Sequence, residues 1–557
     1  MDVANTVDVI VKGEFEQPRC TLACPAGIDI PRYIRAIRLG EYENALKIIR
    51  EKIPFPTICG YVCSRFCEMH CRRQEVDEPV AINALKRFVA DRIQDNIHSV
   101  PKNFKGKKIA VVGAGPAGLT AAYYLSKVCN HQVTVFESRV KIGGMLDGGI
   151  PVYRLPREIL NKELDLVKNA GMEIKTGTKI VNPESLLQKG FAAVFVAVGA
   201  WESRKLDIPG EENPNVLDGL EFLNAVNSGQ IVKIGSNVAV VGGGNVAIDA
   251  ARTALRLGAS TVSIIYRRGR EEMPASHDEI EEALDEGINI MALITPTKIV
   301  SDGKKLRVDL IRMRLGGLDE TRRRSQEQIH GSQVTLDFDT LIVAIGLSPS
   351  LNKDTRLAFH KNGTITVDPA TLATSITGIF AGGDAVSGPA TVIEAIASGR
   401  KAARNIDIYL GGDGVIDEHF VPQGDYNVES WEENILNISR QRMPLQDNFE
   451  RKSNFNIVEL GFNESMAKAE ADRCLRCDLK LPITVDTNNC IHCYVCQQVC
   501  SFTYQDACNP EKARIIIGDN PSKIQYKGTC IGGCSLCIKY CTTGAISLGE
   551  IKEPQGI

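Results

Sequence analysis

The chain has 557 residues, 43% of them hydrophobic and 24% charged, and a formal net charge of −3. That length implies several domains, and the near-neutral balance offers no basic surface of the kind that binds nucleic acid or an anionic membrane. No run reaches the roughly 18 consecutive apolar residues of a membrane span, and the polar, acidic start does not read as a secretory leader, so a cytoplasmic protein is expected.

Eighteen cysteines are distributed unevenly: six lie in residues 20–71, eleven in 474–541, and Cys129 stands alone between. Disulfides are rare in a reducing compartment, so clustered cysteines are read as metal or cluster ligands. Cys129, at the end of a helical stretch, is expected to be a small buried hydrophobe. In chain order, Cys20-x-x-x-Cys24-Pro25 comes first and looks like half of an iron–sulfur run; the C-x-x-C element expected just upstream is missing. Ile30, Ile34 and Ile37, then Ala45, Ile48 and Ile49, recur at helical spacing and predict core-facing helices that hold the cysteine loops. Cys59, Cys63, Cys67 and Cys71 follow at four-residue intervals.

Residues 108–137 read KIAVVGAGPAGLTAAYYLSKVCNHQVTVFE. A β-branched run enters Gly113-x-Gly115-x-x-Gly118, a helical stretch follows, and a second strand ends at Glu137. These glycines permit a tight turn, close approach to a pyrophosphate and close helix–strand packing, and the acid is placed to bond a ribose. Residues 238–268 repeat the pattern with Gly242-x-Gly244-x-x-Ala247, Asn245 opening the helix, but the strand ends in Arg267-Arg268. An acid there repels a 2′-phosphate, whereas arginine binds it, so the second fold is expected to prefer NADP(H); the alternative is a solvated basic loop.

Four further stretches carry a resemblance. KIGGMLDGGIPVYRLP (141–156), FAAVFVAVGA (191–200), DTLIVAIGLSPS (339–350) and GIFAGGDAVSGPATVIEAIASGRKAA (378–403) are similar to the flavin loop, the two interdomain crossings and the second flavin contact of the glutamate synthase small-subunit family. The resemblance implies FAD contacts at Gly144, Met145, Arg154, Gly383, Asp384 and Thr391, with a nicotinamide domain inserted between two halves of a flavin domain. CTLACPAGIDIPRYIRAIRLGEYENALKIIREKIPFPTICGYVC and CEMHCRRQEVDEPVAINALKRF resemble the cluster domain that precedes the flavin domain in that family, in the NADPH subunit of bifurcating transhydrogenases and in dihydropyrimidine dehydrogenase. Such chains carry E-A-x-R-C-L-x-C before the C-x-x-x-C-P element; here it stands as EADRCLRCD at 470–478, after the flavoprotein core. The family's crossed pairing then implies one ligand set of Cys20, Cys71, Cys474 and Cys477, and another of Cys24, Cys63, Cys67 and a fourth group. Cys59 is the available thiol for that fourth place, the alternative being a buried thiol beside a three-cysteine site; Lys86 and Arg87, where some relatives have glutamine, are cationic and poor ligands.

Near the C-terminus, Cys490-x-x-Cys493-x-x-Cys496-x-x-x-Cys500 and Cys530-x-x-x-Cys534-x-x-Cys537-x-x-x-Cys541 resemble a bacterial ferredoxin with two 4Fe–4S clusters. The resemblance implies the sets Cys490, Cys493, Cys496, Cys541 and Cys530, Cys534, Cys537, Cys500. Ser501 and Thr542 replace the usual prolines, and CIGGC lengthens the second run, without removing a ligand; zinc is the competing metal.

The expected fold is α/β, with two Rossmann-like dinucleotide-binding domains, a helical N-terminal iron–sulfur domain and a C-terminal α+β ferredoxin-like domain. The expected boundaries are 1–104 (helical iron–sulfur), 105–235 and 346–410 (FAD-binding halves), 236–345 (NADP-binding), 411–480 (a linker returning Cys474 and Cys477) and 481–557 (ferredoxin-like). FAD, NADP(H) and four 4Fe–4S clusters make a graded path, flavin joining two-electron hydride chemistry to one-electron transfer. No acid/base residue is needed. The first reading is a flavoprotein subunit of a larger electron-transfer complex, such as a bifurcating transhydrogenase or a formate dehydrogenase or hydrogenase, with other redox subunits, and ferredoxin among the candidates, as partners. The alternatives are a glutamate synthase small subunit and a non-catalytic cluster-carrying scaffold.

Overall fold

The structure is a computed structural model describing residues 6–9, 17–93, 106–318, 324–349, 351, 355–422, 438–477, 483–486, 489–505, 509, 513, 515–517, 525–526 and 536–548. Its middle is built from two five-stranded parallel sheets. In the first, Lys108–Val112 is central, flanked by Ala193–Val196 and Ile379–Ala381 on one side and by Gln132–Phe136 and Glu173–Lys175 on the other. Ile109, Ala110 and Val111 are all fully buried, as a strand covered on both faces requires. Helices Pro116–Lys127 and Val392–Tyr409 pack together against it.

The second sheet has the order Asn289–Ala292, Thr261–Tyr266, Asn237–Val241, Thr340–Val343, Val216–Asp218. Its last strand lies upstream of residue 236, so the expected boundary at 235/236 moves back. Helix Gly219–Asn227 goes with it, packed on helix Asn245–Arg256. A three-residue, half-buried edge strand carries no glycine fingerprint and no alternation to mark it in the sequence. Glu202–Ser203 pairs antiparallel with Leu347–Ser348 where the chain crosses between the sheets.

The N-terminal region is helical: Ile30–Arg38, Tyr42–Arg50, Pro56–Val62 and Ile82–Arg92. Asp29 caps the first helix by accepting from Arg32 N at 3.4 Å, with Pro31 in its opening turn. Ile30, Ile34, Ile37, Ala45, Ile48 and Ile49 are buried as their spacing predicts, in a core continuous with one face of the first sheet.

The chain ends cross. Helix Glu464–Asp472 returns to pack on Ile30–Arg38 and Ile82–Arg92. Arg473, just beyond it, is 0% exposed. Its guanidinium donates to Glu470 (2.7 Å), Pro79 O (3.2 Å), Asp77 (2.9 Å), Glu78 O (2.6 Å) and Ile438 O (3.0 Å). A charge survives such burial only when its donors are met, and here the acceptors come from both ends of the chain. Hydrogen bonding from Arg73, with the charge of Arg473 added, pulls the Asp77 carboxyl down to about 2. In the opposite direction, Thr6–Val9 pairs antiparallel with Ile483–Asp486, which pairs with Ile546–Leu548. The first strand therefore belongs to the tail sheet, a correction to the expected 1–104 helical domain; four residues pairing with a partner far along the chain leave no local pattern.

Candidate cofactor cavity and cysteine cages

A cavity of about 920 Å³ opens at the carboxyl end of the first sheet, at the top of the size range of ligand pockets. Gly113 turns the chain into it with φ 106°, where a Cβ would stand 2.3 Å from Ala197 O; a Cβ on Gly118 would stand 2.0 Å from Gly113 O. Gly115 instead has open space on its free side, at the N-terminus of helix Pro116–Lys127, which is room for a diphosphate. Glu137 is fixed on the rim: one carboxylate oxygen accepts from Ala114 N (2.8 Å), the other from Arg139 N (2.8 Å) and Ser138 Oγ (3.2 Å). Gly144 and Met145 line the cavity from the loop beneath.

Gly383, Asp384 and Thr391 also line it, with Gly383 against Ala117 at the start of helix Pro116–Lys127. Burial pushes the Asp384 carboxyl up to about 6, against the pull of the Ala390 N–H. Thr391 caps helix Val392–Tyr409 in a reciprocal box with Glu394: its hydroxyl accepts from Glu394 N (3.3 Å) and its own N–H donates to the Glu394 carboxylate (3.0 Å). That helix end presents partial positive charge to the cavity. A long cavity with an acid at one rim, two helix N-termini and an open glycine fits FAD.

Arg154 also lines the cavity, but its guanidinium is committed. It donates to Asp249 of the second domain at 2.7 and 2.9 Å and pairs with Glu279. The structure gives it a role in joining the two dinucleotide domains. Asn245 reaches the same cavity from the second fold, whereas Gly242 and Gly244 form that fold's own turn ahead of helix Asn245–Arg256. At the end of strand Thr261–Tyr266 the two arginines part company. Arg267 is exposed and makes no ion pair among the described residues. Partial burial, with the charges of Arg268 and Arg204, pushes its pKa down, the mark of positive charge not neutralised nearby. Arg268 is buried and donates to Arg324 O at 3.3 Å.

The cysteines form cages. Cys20, Cys71, Cys474 and Cys477 line one cavity of about 20 Å³, which joins the two distant sequence halves. Burial, and then the proximity of Cys474, Cys71 and Cys477, pushes the Cys20 thiol well up. A second cavity, also about 20 Å³, is lined by Cys24, Cys63 and Cys67, with Lys86 and without Cys59. In the tail, burial and then Cys541, Cys493 and Cys490 push Cys496 up to about 11. Cys500 and Cys537 share its small core. Cys530 and Cys534 lie outside the described residues. Partly buried groups of three and four thiols suit iron–sulfur clusters, which neutralise thiolates that the interior would otherwise disfavour.

The cavities adjoin. Val62 and Ser64 line the large cavity, and Cys63 between them lines the second cage; Val392 lines the large cavity and Ile393 the cage. Val62, Ser64 and Arg204 carry no expectation from the sequence, and Lys86 enters there only as a poor ligand, because ordinary residue types become informative only when the fold brings them to a site.

A family model described as pyridine nucleotide-disulphide oxidoreductase matches residues 107–399. One described as dihydropyrimidine dehydrogenase domain II, 4Fe-4S cluster, matches residues 14–97. The chain is 40% identical to the NADP(+)-dependent formate dehydrogenase subunit beta of Moorella thermoacetica, over 83% of this chain and 71% of that one. It is 37% identical to the NADPH-Fe(3+) oxidoreductase subunit beta of Geobacter sulfurreducens, over 82% and 75%. It is 32% identical to the glutamate synthase [NADPH] small chain of Azospirillum brasilense, over 70% and 86%.

Proposed function

The chain belongs to the pyridine nucleotide-disulphide oxidoreductase family and carries a 4Fe–4S domain ahead of it, and from this we propose that it exchanges electrons between NADP(H) and a partner redox subunit. FAD bound in the large cavity supplies both hydride and one-electron chemistry, which suits a place between a nicotinamide and iron–sulfur clusters. Gly113, Gly115 and the start of helix Pro116–Lys127 hold its diphosphate, Glu137 its ribose, and Asp384 and Thr391 its far side. Gly242, Gly244 and Arg267 hold NADP(H), and the Arg154–Asp249 pair sets the two domains against each other.

The observation that carries the reading is the shared wall. Cys63 faces the Cys24/Cys63/Cys67 cage while both its neighbours face the large cavity, so that cage is the natural first electron acceptor. The Cys20/Cys71/Cys474/Cys477 cage and the two tail sets continue the path, four clusters in all. The tail follows Cys477 by a few residues in sequence, and its strand Ile483–Asp486 pairs with Thr6–Val9 ahead of Cys20. The formate dehydrogenase and Fe(3+) oxidoreductase relatives are each a subunit beta, and both are matched over more of this chain than the glutamate synthase relative, which supports another redox subunit as the partner. Anaerobic titration of the purified holoprotein with NADPH tests this: flavin and cluster absorbance both bleach. A spectrum unchanged by excess NADPH would refute it.

A further inference from the structure

We infer that Arg65 is a positioning residue for hydride transfer, fixing the nucleotide fold over the flavin cavity from the loop that carries two cage cysteines; the inference rests on the proposal that FAD fills that cavity and NADP(H) the second fold. Cys63, Phe66 and Cys67 line the small cage, and Ser64 lines the large cavity. Arg65, between them, lines neither. Its guanidinium leaves the loop and donates to Asp278 of the second fold and to Glu459 of the returning segment, each at 2.7 Å. Its φ is 56°, in the left-handed region that a residue with a side chain keeps only where its surroundings hold it there.

Both acceptors are themselves anchored. Asp278 stands in the first turn of helix His277–Asp285, which Ser276 caps by accepting from Glu279 N at 3.2 Å. That helix packs on Asn245–Arg256, whose first turn brings Asn245 and Val246 to the large cavity. Glu279, the next residue, pairs with Arg154, which also holds Asp249 on that second helix. The nucleotide fold is therefore gripped at adjacent residues from two sides, Glu279 by the flavin domain and Asp278 by the iron–sulfur domain. On the other side of Arg65, Glu459 accepts from Arg87 through its carbonyl at 2.7 Å, and its carboxylate lies 3.5 Å from the same guanidinium.

Gly242, Gly244 and Arg267 all belong to the second fold and travel with it, so Arg65 acts on where the nicotinamide is delivered and leaves its binding alone. Transfer between bound groups is steeply sensitive to such placement. The same short loop holds Cys63 and Cys67, so one segment sets hydride donor, flavin and first acceptor against one another.

Stopped-flow bleaching of the flavin in the holoprotein, over a range of NADPH concentrations, tests this. Asp278→Asn removes the partner charge without touching the cysteine loop. It is expected to lower the limiting rate about two- to fivefold, the span of one surface ion pair, with half-saturating NADPH, flavin content and iron content unchanged. Asp278→Glu is expected to restore most of the rate. Arg65→Gln is expected to slow bleaching at least as much as Asp278→Asn, and the double variant no further than Arg65→Gln. A wild-type limiting rate in Asp278→Asn, a change in half-saturation in place of rate, or losses that multiply in the double variant would overturn the inference. Iron loss in Arg65→Gln beside a silent Asp278→Asn would also overturn it, making the arginine a structural support of the cage. A wild-type flavin that NADPH does not bleach would instead overturn the electron-transfer reading beneath it.

Discussion

A chain in which Cys474 and Cys477 are both serine is expected to lose about four iron atoms from the N-terminal domain, one 4Fe–4S cluster, even though its remaining ligands Cys20 and Cys71 lie some four hundred residues away in sequence. The four thiols line a single cavity. The segment that brings the last two there is held by Arg473 and by Glu470, which accepts from Ala81 N and Gln441 N, each at 2.7 Å. These groups stay in place in the double serine chain, so the loss is one of ligands and the segment stays docked. Removing Arg473 acts differently. Arg473→Met strands the buried Glu470 and is expected to cost about 3–5 kcal/mol, the range for breaking a buried pair. Iron analysis and thermal unfolding of the two variants separate the effects. Full iron in the double serine chain would show that the returning cysteines are not ligands.

The second large effect is on nucleotide choice. Arg267 stands exposed at the end of strand Thr261–Tyr266, with Arg268 and Arg204 adding positive charge and no described acid pairing with it. A well-formed charge-assisted bond to a 2′-phosphate contributes roughly 1.5–3 kcal/mol. Arg267→Ala is therefore expected to weaken NADPH by about one to two decades, since 1.4 kcal/mol is tenfold, while leaving NADH and flavin content nearly unchanged. Arg268→Ala should do less to this discrimination and more to stability, because that side chain is buried against Arg324 O. Stopped-flow reduction of the flavin by each nucleotide decides it. Equal loss of NADPH and NADH in Arg267→Ala would end the phosphate reading.

The two dinucleotide folds were legible because their chemistry is written locally: strand, glycine turn, helix and second strand fall within about thirty residues. The same holds for the helix at Thr391 and for the core faces of Ile30–Arg38 and Tyr42–Arg50. The returning Cys474 and Cys477 were legible because a displaced motif keeps its residues. What the sequence hid is non-local. Val216–Asp218 and Thr6–Val9 are too short to carry a period, and each joins a sheet centred far along the chain. The equal standing of Arg267 and Arg268 dissolved once the strand's neighbours buried one of them. Arg154 looked like a cofactor contact in a glycine-rich loop, and only the packed domains reveal Asp249 and Glu279 as its partners. Cys59 has the right residue type and spacing and is fully buried beside Cys63 and Lys86, without lining the small cavity itself.

Electrons are expected to pass in order from nicotinamide through the large cavity to the cage behind Val62 and Ser64. Rapid mixing of oxidised holoprotein with NADPH, with flavin absorbance and cluster EPR followed on one time base, tests it most directly. Flavin bleaching is expected first, with cluster signals following, and Cys63→Ser is expected to keep the bleaching while delaying or abolishing the signals of every other cluster. Cluster signals that rise at the wild-type rate in Cys63→Ser, or before the flavin bleaches, would contradict it.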